Sequence, residues 1–184
     1  MAEQTDQQRD AVFSVDGDRR PLILTAGMED AAQAHFDHLR KLHFPPERNW
    51  LSAHITLFHA LPGEEREIVA QHLAQAVAGG SPITVMVESV RFLGNGVAFA
   101  LSSVGLQDLR ARLADRFRPW LTRQDQQGFR PHVTVQNKVS AETARTLQAT
   151  LADEFTPWDF TVTGLCLWHY DGGPWEPAAR FPLV

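Results

Sequence analysis

Two short stretches of the chain pair an imidazole with a hydroxyl in the same pattern. Residues 54–57 read His-Ile-Thr-Leu and residues 132–135 read His-Val-Thr-Val, and the two stretches stand 78 positions apart. Because side chains alternate between the two faces of a strand, each His shares a face with its Thr, about 6–7 Å away at the Cα atoms. The aliphatic residues point to the other face, toward a core. We therefore predict two strands, each presenting a proton carrier and a hydrogen-bond donor.

These four polar residues suit one kind of chemistry. Two His side chains that titrate near neutral pH, His54 and His132, can act as a base and an acid in paired proton transfer. The hydroxyls of Thr56 and Thr134 can donate hydrogen bonds to the non-bridging oxygens of a bound phosphate. In-line displacement at phosphorus needs one group at the attacking oxygen and another at the leaving oxygen. Either His alone is more simply explained as a hydrogen-bonded strand residue, but the pair favours catalysis.

The segments that follow the two stretches also match. Without gaps at the same offset, Val69, Leu73 and Val77 fall on apolar residues at 147, 151 and 155, which is the four-residue spacing of an amphipathic helix. Each copy therefore predicts a strand, a short polar turn and a helix, with Ser140 as the N-cap of the second helix. An internal duplication explains this economically. The alternative is two unrelated strands of an ordinary α/β domain.

The similarity extends weakly beyond the two copies. Before them, strands are predicted at 21–24 and 97–101, followed by helices at 29–42 and 106–121. After them, strands at 83–93 and 161–170 lead into turns rich in Gly at 94–96 and 171–173. These elements are expected to position the two motif strands.

Composition bounds the class of protein. We expect residues 1–18 to form a flexible N-terminal tail and residues 19–184 to form a single domain. The polar N-terminus lacks a signal peptide and no apolar run approaches bilayer length, so we expect a cytoplasmic protein without a membrane partner. The net charge of −5 argues against non-specific binding along nucleic-acid backbones. A single Cys166 excludes an internal disulfide.

Four further residues are candidate substrate contacts. Phe58 continues the face of His54 and could stack on a base, with a core or rim aromatic as the equal alternative. Gln136 and Lys138 continue the face of His132, where a solvated strand end is as plausible. Arg130 could bind phosphate, although a surface charge is the commoner role.

The sequence contains no complete motif for a metal or for ATP. His35 and His38 have helical spacing suited to a metal, but no third ligand follows at a recognisable interval. No Gly-x-x-x-x-Gly-Lys motif is present, so ATP-driven ligation is not expected. We expect a site that needs no metal and no cofactor.

The ordered pair of motifs resembles those of a known family. The chain looks like a member of the 2H phosphoesterase superfamily, and within it of the bacterial 2′-5′ RNA ligase-like (RNA 2′,3′-cyclic phosphodiesterase) group. The resemblance rests on the two His-x-Thr motifs and on C-terminal segments at 165–168, 175–177 and 181–183. It covers residues 21–184.

This resemblance implies an α+β fold of two similar lobes, with antiparallel-dominated sheets around a central cleft and helices outside. It implies metal-independent opening of a 2′,3′-cyclic phosphate of RNA or a nucleotide, or the reverse 2′-5′ joining of RNA ends. His54 and His132 carry over to proton transfer, and Thr56 and Thr134 to phosphate contact. The partner would be an RNA end or a small nucleotide that carries a cyclic phosphate.

One departure keeps the substrate open. Better-known RNA ligase members have an Arg soon after the second motif, whereas this chain has Gln-Asn-Lys at 136–138. Together with the acidic net charge, this departure makes a small non-RNA cyclic nucleotide a second candidate substrate beside RNA. A module that binds phosphate or an RNA end without turnover is the alternative from another class. Intact imidazoles argue against it, because a pure binder gains more from Arg or Lys.

Overall fold

The computed structural model describes residues 19–184. The tail predicted for residues 1–18 lies outside the described residues. Within them the strands are β1 (Leu22–Met28), β2 (Ile55–Leu61), β3 (Ile83–Phe92), β4 (Val97–Ser102), β5 (His132–Gln136), β6 (Trp158–His169) and β7 (Glu176–Pro182). The α-helices are α1 (Asp30–His43), α2 (Arg66–Val77), α3 (Val104–Phe117) and α4 (Ala141–Asp153).

The strands form one antiparallel sheet whose two end strands carry the two motifs. The strand order is β2-β1-β6-β3-β4-β5, with β7 also paired to β6. Although β2 and β5 stand at opposite ends of this order, they contact each other. The sheet therefore curls into a half-barrel, because only strong curvature brings its end strands together. The mixed α+β fold with a curled antiparallel sheet and four helices agrees with the predicted class.

The long strand β6 belongs to both halves of the molecule. Along 162–169 it pairs with β1, and along 158–162 it pairs with β3. Pairing with β3 ends at residue 162 of β6, and from residue 164 to 169 the strand β7 pairs with β6 instead. The sheet is thus continuous, and β6 joins the strands on the side of β1 to those on the side of β3.

The helices follow their predicted apolar stripes. Val69, Leu73 and Val77 of α2 are buried, and the Ser140 hydroxyl caps α4 by accepting a hydrogen bond from the Thr143 amide. The helix α3 ends at Phe117, earlier than predicted, and a short 3₁₀ turn follows at Arg118–Trp120. Pro119 explains the early end, because it has no amide hydrogen to continue the α-helical bonding.

Two classes of feature are missing from the part of the chain that the structure describes. None of its helices combines the length and apolar character needed to cross a bilayer. Nor do three His, Cys, Asp or Glu side chains in it gather as metal ligands.

Candidate active site

The two motif His residues are held in the same way. His54 stands directly before β2 and His132 opens β5. The Nδ1 of His54 donates a hydrogen bond to the Ser52 carbonyl at 2.8 Å, and the Nδ1 of His132 donates to the Arg130 carbonyl at 2.9 Å. A carbonyl can only accept, so the Nδ1 proton is fixed in both rings. In each neutral ring the lone pair therefore resides on Nε2.

The environment keeps His54 neutral. Burial lowers the pKa of His54 to about 4, in spite of the Ser52 hydrogen bond, which raises it. Positive charge on Arg40, His132 and His59 lowers the pKa of His54 further. His132 is therefore close enough for its charge to act on His54. Two protonated rings at these positions would therefore repel each other.

A buried arginine ties the two motif segments together. Arg40 of α1 is 4% exposed. Its Nε donates to the Leu51 carbonyl at 3.2 Å, shortly before β2, and its Nη1 donates to the Thr134 carbonyl at 2.8 Å, within β5. A single guanidinium thus fixes the two motif segments to each other.

A second buried arginine makes the reciprocal connection. Arg110 of α3 donates from Nε to the Leu57 carbonyl of β2 at 2.9 Å and from Nη2 to the Asp125 carbonyl in the segment before β5. Its guanidinium also lies over the Phe58 ring, 3.9 Å from the ring centroid. Each motif strand is therefore held by an arginine that also holds the approach to the other.

A buried carboxylate anchors the segment that leads to β5. The Asp125 carboxylate accepts hydrogen bonds from the His59 and Ala60 amides, the Thr122 hydroxyl and the His59 Nδ1, the last at 2.8 Å. Burial alone raises the pKa of Asp125, but the hydrogen bonds and charge of His59 outweigh it, so the pKa lies below its ordinary value. This carboxylate connects the end of β2 to the segment before β5.

Both motif strands carry a β-bulge directly after the motif Thr. Thr56 pairs with Thr25 while Phe58 pairs with the adjacent Leu24, so β2 has one extra residue. The same irregularity occurs in β5, where Thr134 pairs with Ala98 and Gln136 pairs with Val97. An extra residue reverses the alternation of faces from that point on.

The bulges overturn the predicted faces of two candidate contacts. Phe58 is fully buried and packs against Phe117, so of its two predicted roles the core aromatic is confirmed, and its predicted place on the face of His54 is wrong. Gln136 is 5% exposed and lines a groove beside α4, so its predicted place on the face of His132 is also wrong.

The remaining predicted site residues differ in exposure. Thr56 and Thr134 are partly exposed within β2 and β5, like their His partners. Arg130 and Lys138 are exposed on either side of β5, and Lys138 has a left-handed backbone with φ of 63°. Their roles as substrate contacts stay predictions.

A cavity opens beside His54. Trp175 is one of its walls, and no pattern in the sequence predicts this role. The cavity measures about 460 Å³ and is lined by His54 together with residues of β1, β6 and β7. The ring centroid of Trp175 lies 4.6 Å from that of His54. Trp50, which the sequence places just before the first motif, also lines this cavity.

A comparison with protein families identifies the family of the chain. The model described as the 2′-5′ RNA ligase superfamily matches residues 28–174. The chain belongs to this superfamily. The matched residues include both His-x-Thr motifs. The match therefore confirms the resemblance to 2H phosphoesterases that the sequence indicated. No curated protein matches the chain.

Solved structures share the superfamily fold at low sequence identity. A Thermus thermophilus protein aligns with a TM-score of 0.64 at 14% identity, over 89% of this chain and 97% of its own. E. coli LigT complexed with 3′-AMP aligns with a TM-score of 0.59 at 17% identity, over 91% of this chain and 99% of LigT. A structure described as that of a phosphoesterase gives a TM-score of 0.59 at 18% identity, with 91% of this chain and 99% of the other covered.

Proposed function

We propose that this protein opens 2′,3′-cyclic phosphates of RNA or nucleotides by paired His acid–base catalysis, and that 2′-5′ joining of RNA ends results when a 5′-hydroxyl attacks the cyclic phosphate in place of water. The observation that supports it most is the matched setting of His54 and His132. Both rings have Nδ1 committed to a backbone carbonyl, and the charge of one acts on the other. Two equivalent Nε2 atoms are what transfer of a proton at each side of a phosphorus atom requires.

The low pKa of His54 suggests how the roles divide. Neutral His54 takes a proton from water through Nε2 while the water oxygen forms a bond to phosphorus. The bond from phosphorus to one ribose oxygen breaks, and protonated His132 gives its proton to that oxygen. Thr56 and Thr134 donate hydrogen bonds to the non-bridging oxygens, whose charge rises in the transition state. The product is a nucleotide with a single 2′- or 3′-phosphate.

The joining reaction uses the same residues in the same roles, with His54 taking the proton of the attacking group and His132 protonating the ribose oxygen that leaves. A 5′-hydroxyl takes the place of water, and the strain of the cyclic phosphate supplies the driving force. No step invokes a metal, a cofactor or ATP. The structural relatives support a nucleotide substrate, since LigT has been crystallised with 3′-AMP, with NADP⁺ and with ATP.

Incubation with nucleoside 2′,3′-cyclic monophosphates and with short cyclic-phosphate-ended RNA tests the proposal. Conversion to a 2′- or 3′-phosphate without added metal is expected, and it should persist in the presence of a chelator. His54→Ala and His132→Ala should each lower kcat/KM by about 10²–10⁴-fold. His38→Ala, which changes an exposed His on α1, is the control and should leave kcat/KM unchanged.

The same assay separates the enzyme from a binding module. A module that only holds phosphate should show saturable binding and no product at any pH. Turnover by either motif variant at the rate of the unchanged protein would contradict the catalytic proposal.

A further inference from the structure

The cavity beside His54 is built from one face of three neighbouring strands. In register across β1, β6 and β7 lie Thr25, Cys166 and Arg180, and all three line the cavity. The alternate residues Leu24 and Leu165 face the core. The cavity is therefore a feature of the sheet itself and depends on no loop to give it a floor.

Three of the five tryptophans of the chain line this cavity. Trp175 packs against His54 at 4.6 Å and against Trp168 at 6.2 Å between ring centroids. The indole nitrogen of Trp168 donates to the Thr25 hydroxyl at 2.9 Å, which fixes that ring. Trp50 stands at the rim and is 64% exposed. Aromatic walls that remain open to solvent are typical of a site for another planar group.

Two of the residues that line the cavity on β1 and β6 are small. Gly27 and Cys166 lie next to each other there, and a Cβ added to Gly27 would meet the Cys166 sulfur at 3.4 Å. Larger residues at these positions would fill the space between Thr25 and the tryptophans. The volume of about 460 Å³ falls within the range of about 300–1,000 Å³ that is usual for small-molecule sites.

The polar groups of the cavity suit a nucleoside. The amide nitrogen of Gln33 donates to the Asp37 carboxylate at 3.0 Å and to the Ala53 carbonyl at 2.9 Å, which leaves the amide oxygen as a fixed acceptor. Gln33 lines the cavity, and an amide oxygen is the kind of acceptor that the exocyclic amino group of a base requires. Arg180 brings a positive charge to the same cavity, while Asp30 brings a negative one.

We propose that this cavity binds the base and ribose of the one nucleoside whose phosphate reacts at His54, and that it recognises a single terminal nucleoside instead of an extended RNA strand. The inference rests on the proposed function, and it names the substrate class of that site. A cavity of one-nucleoside size leaves the neighbouring nucleotides of a strand outside it. The net charge of −5 offers them no broad basic surface.

Binding measurements without turnover test this inference. Isothermal titration calorimetry should show adenosine 3′-monophosphate binding at least about 10-fold more tightly than inorganic phosphate, as stacking of one base on aromatic side chains predicts. A dinucleotide with the same 3′-phosphate should gain less than about threefold more, because its second nucleoside finds no stacking platform.

Two variants and a matched control locate the effect. Trp175→Leu and Trp50→Ala should each weaken binding of the nucleotide by about 5- to 50-fold and leave the affinity for inorganic phosphate unchanged. Trp50 is exposed, so its replacement does not endanger folding. Trp120→Leu is the control, because Trp120 packs on Phe117 and does not line the cavity.

The outcomes separate this inference from the proposed function. Equal affinities for nucleotide and phosphate, tryptophan variants that behave like the control, or affinity that rises about tenfold with each added nucleotide would each overturn the single-nucleoside site. Tryptophan-dependent nucleotide binding without any opening of cyclic phosphates would support the site and refute the proposed function. Equal kcat/KM for a base-free ribose cyclic phosphate and a nucleoside cyclic phosphate would refute the site and leave the function standing.

Discussion

Replacing Arg40 with Met tests whether one buried cation both holds the two motif segments together and keeps His54 neutral. Arg40 is 4% exposed, and its hydrogen bonds of 3.2 and 2.8 Å end on carbonyls of the two segments. Met preserves most of the side-chain length and removes every donor. Both carbonyls would then lose their charged partner.

The expected loss of stability follows from these two bonds. Hydrogen bonds to a charged group contribute about 1.5–3 kcal/mol each, and part of this is offset because the variant no longer buries a charge. We therefore expect Arg40→Met to lower the free energy of unfolding by about 2–4 kcal/mol. Arg40→Lys retains the charge but not the planar fork, so it should fall between the two proteins.

The same change should move the pH profile. Burial is the main reason for the low pKa of His54, and the charge of Arg40 lowers that pKa further. Removal of the charge must therefore raise the pKa of His54, and the acid limb of kcat/KM should shift to higher pH. Arg40→Lys should leave the limb near its original position.

Urea unfolding and pH–rate profiles measure the two effects. Arg110→Met is the matched control, because Arg110 also bridges two segments through carbonyls but does not act on the pKa of His54. It should lose comparable stability without a shift of the acid limb. An Arg40→Met protein as stable as the original, or one whose acid limb moves to lower pH, would refute the reasoning.

Three further outcomes are expected. The pKa of His54 is about 4 in the folded protein, below its unfolded value, so the folded state binds this proton less readily. The free energy of unfolding should therefore be highest above about pH 6.5 and fall as the pH drops toward 4. In His54→Gln this fall, measured as the urea midpoint against pH, should be smaller. Asp125→Asn should lower the free energy of unfolding by about 2–4 kcal/mol in urea, since one of two accepting oxygens is replaced by an NH₂ group that faces donors and cannot accept. Gly96→Ala should lower the melting temperature, because its Cβ would collide with the Gln136 carbonyl, at a cost of about 2–3 kcal/mol; an unchanged melting temperature would contradict the close approach.

Much of the fold could be predicted because its signals are local. The apolar stripe of α2, the Ser140 cap of α4 and the apolar run that opens β1 each depend on residues a few positions apart. The family resemblance supplied the α+β class, and the comparisons confirm it. The apolar pattern alone extends α3 too far, although Pro119 carries the information that ends it.

The site was less predictable, because its decisive contacts join distant parts of the chain. Strict alternation puts Phe58 and Gln136 on the motif face, and a bulge of one residue in each strand reverses them. A bulge is set by pairing with a neighbouring strand, which no local pattern reveals. Arg40 and Asp125 act over 94 and 66 residues of separation, so nothing in their sequence surroundings marks them.

The carbonyl that orients each imidazole comes from the same polypeptide, two positions earlier. Many proton-transferring histidines need a carboxylate elsewhere in the fold, and a copied segment would lose that companion. Here the accepting carbonyl lies in the same short segment as the ring. A copy of the strand and of the two residues before it therefore also contains a His with its proton on Nδ1. Gene duplication alone can thus yield a matched pair of proton carriers, with no new companion residue to evolve.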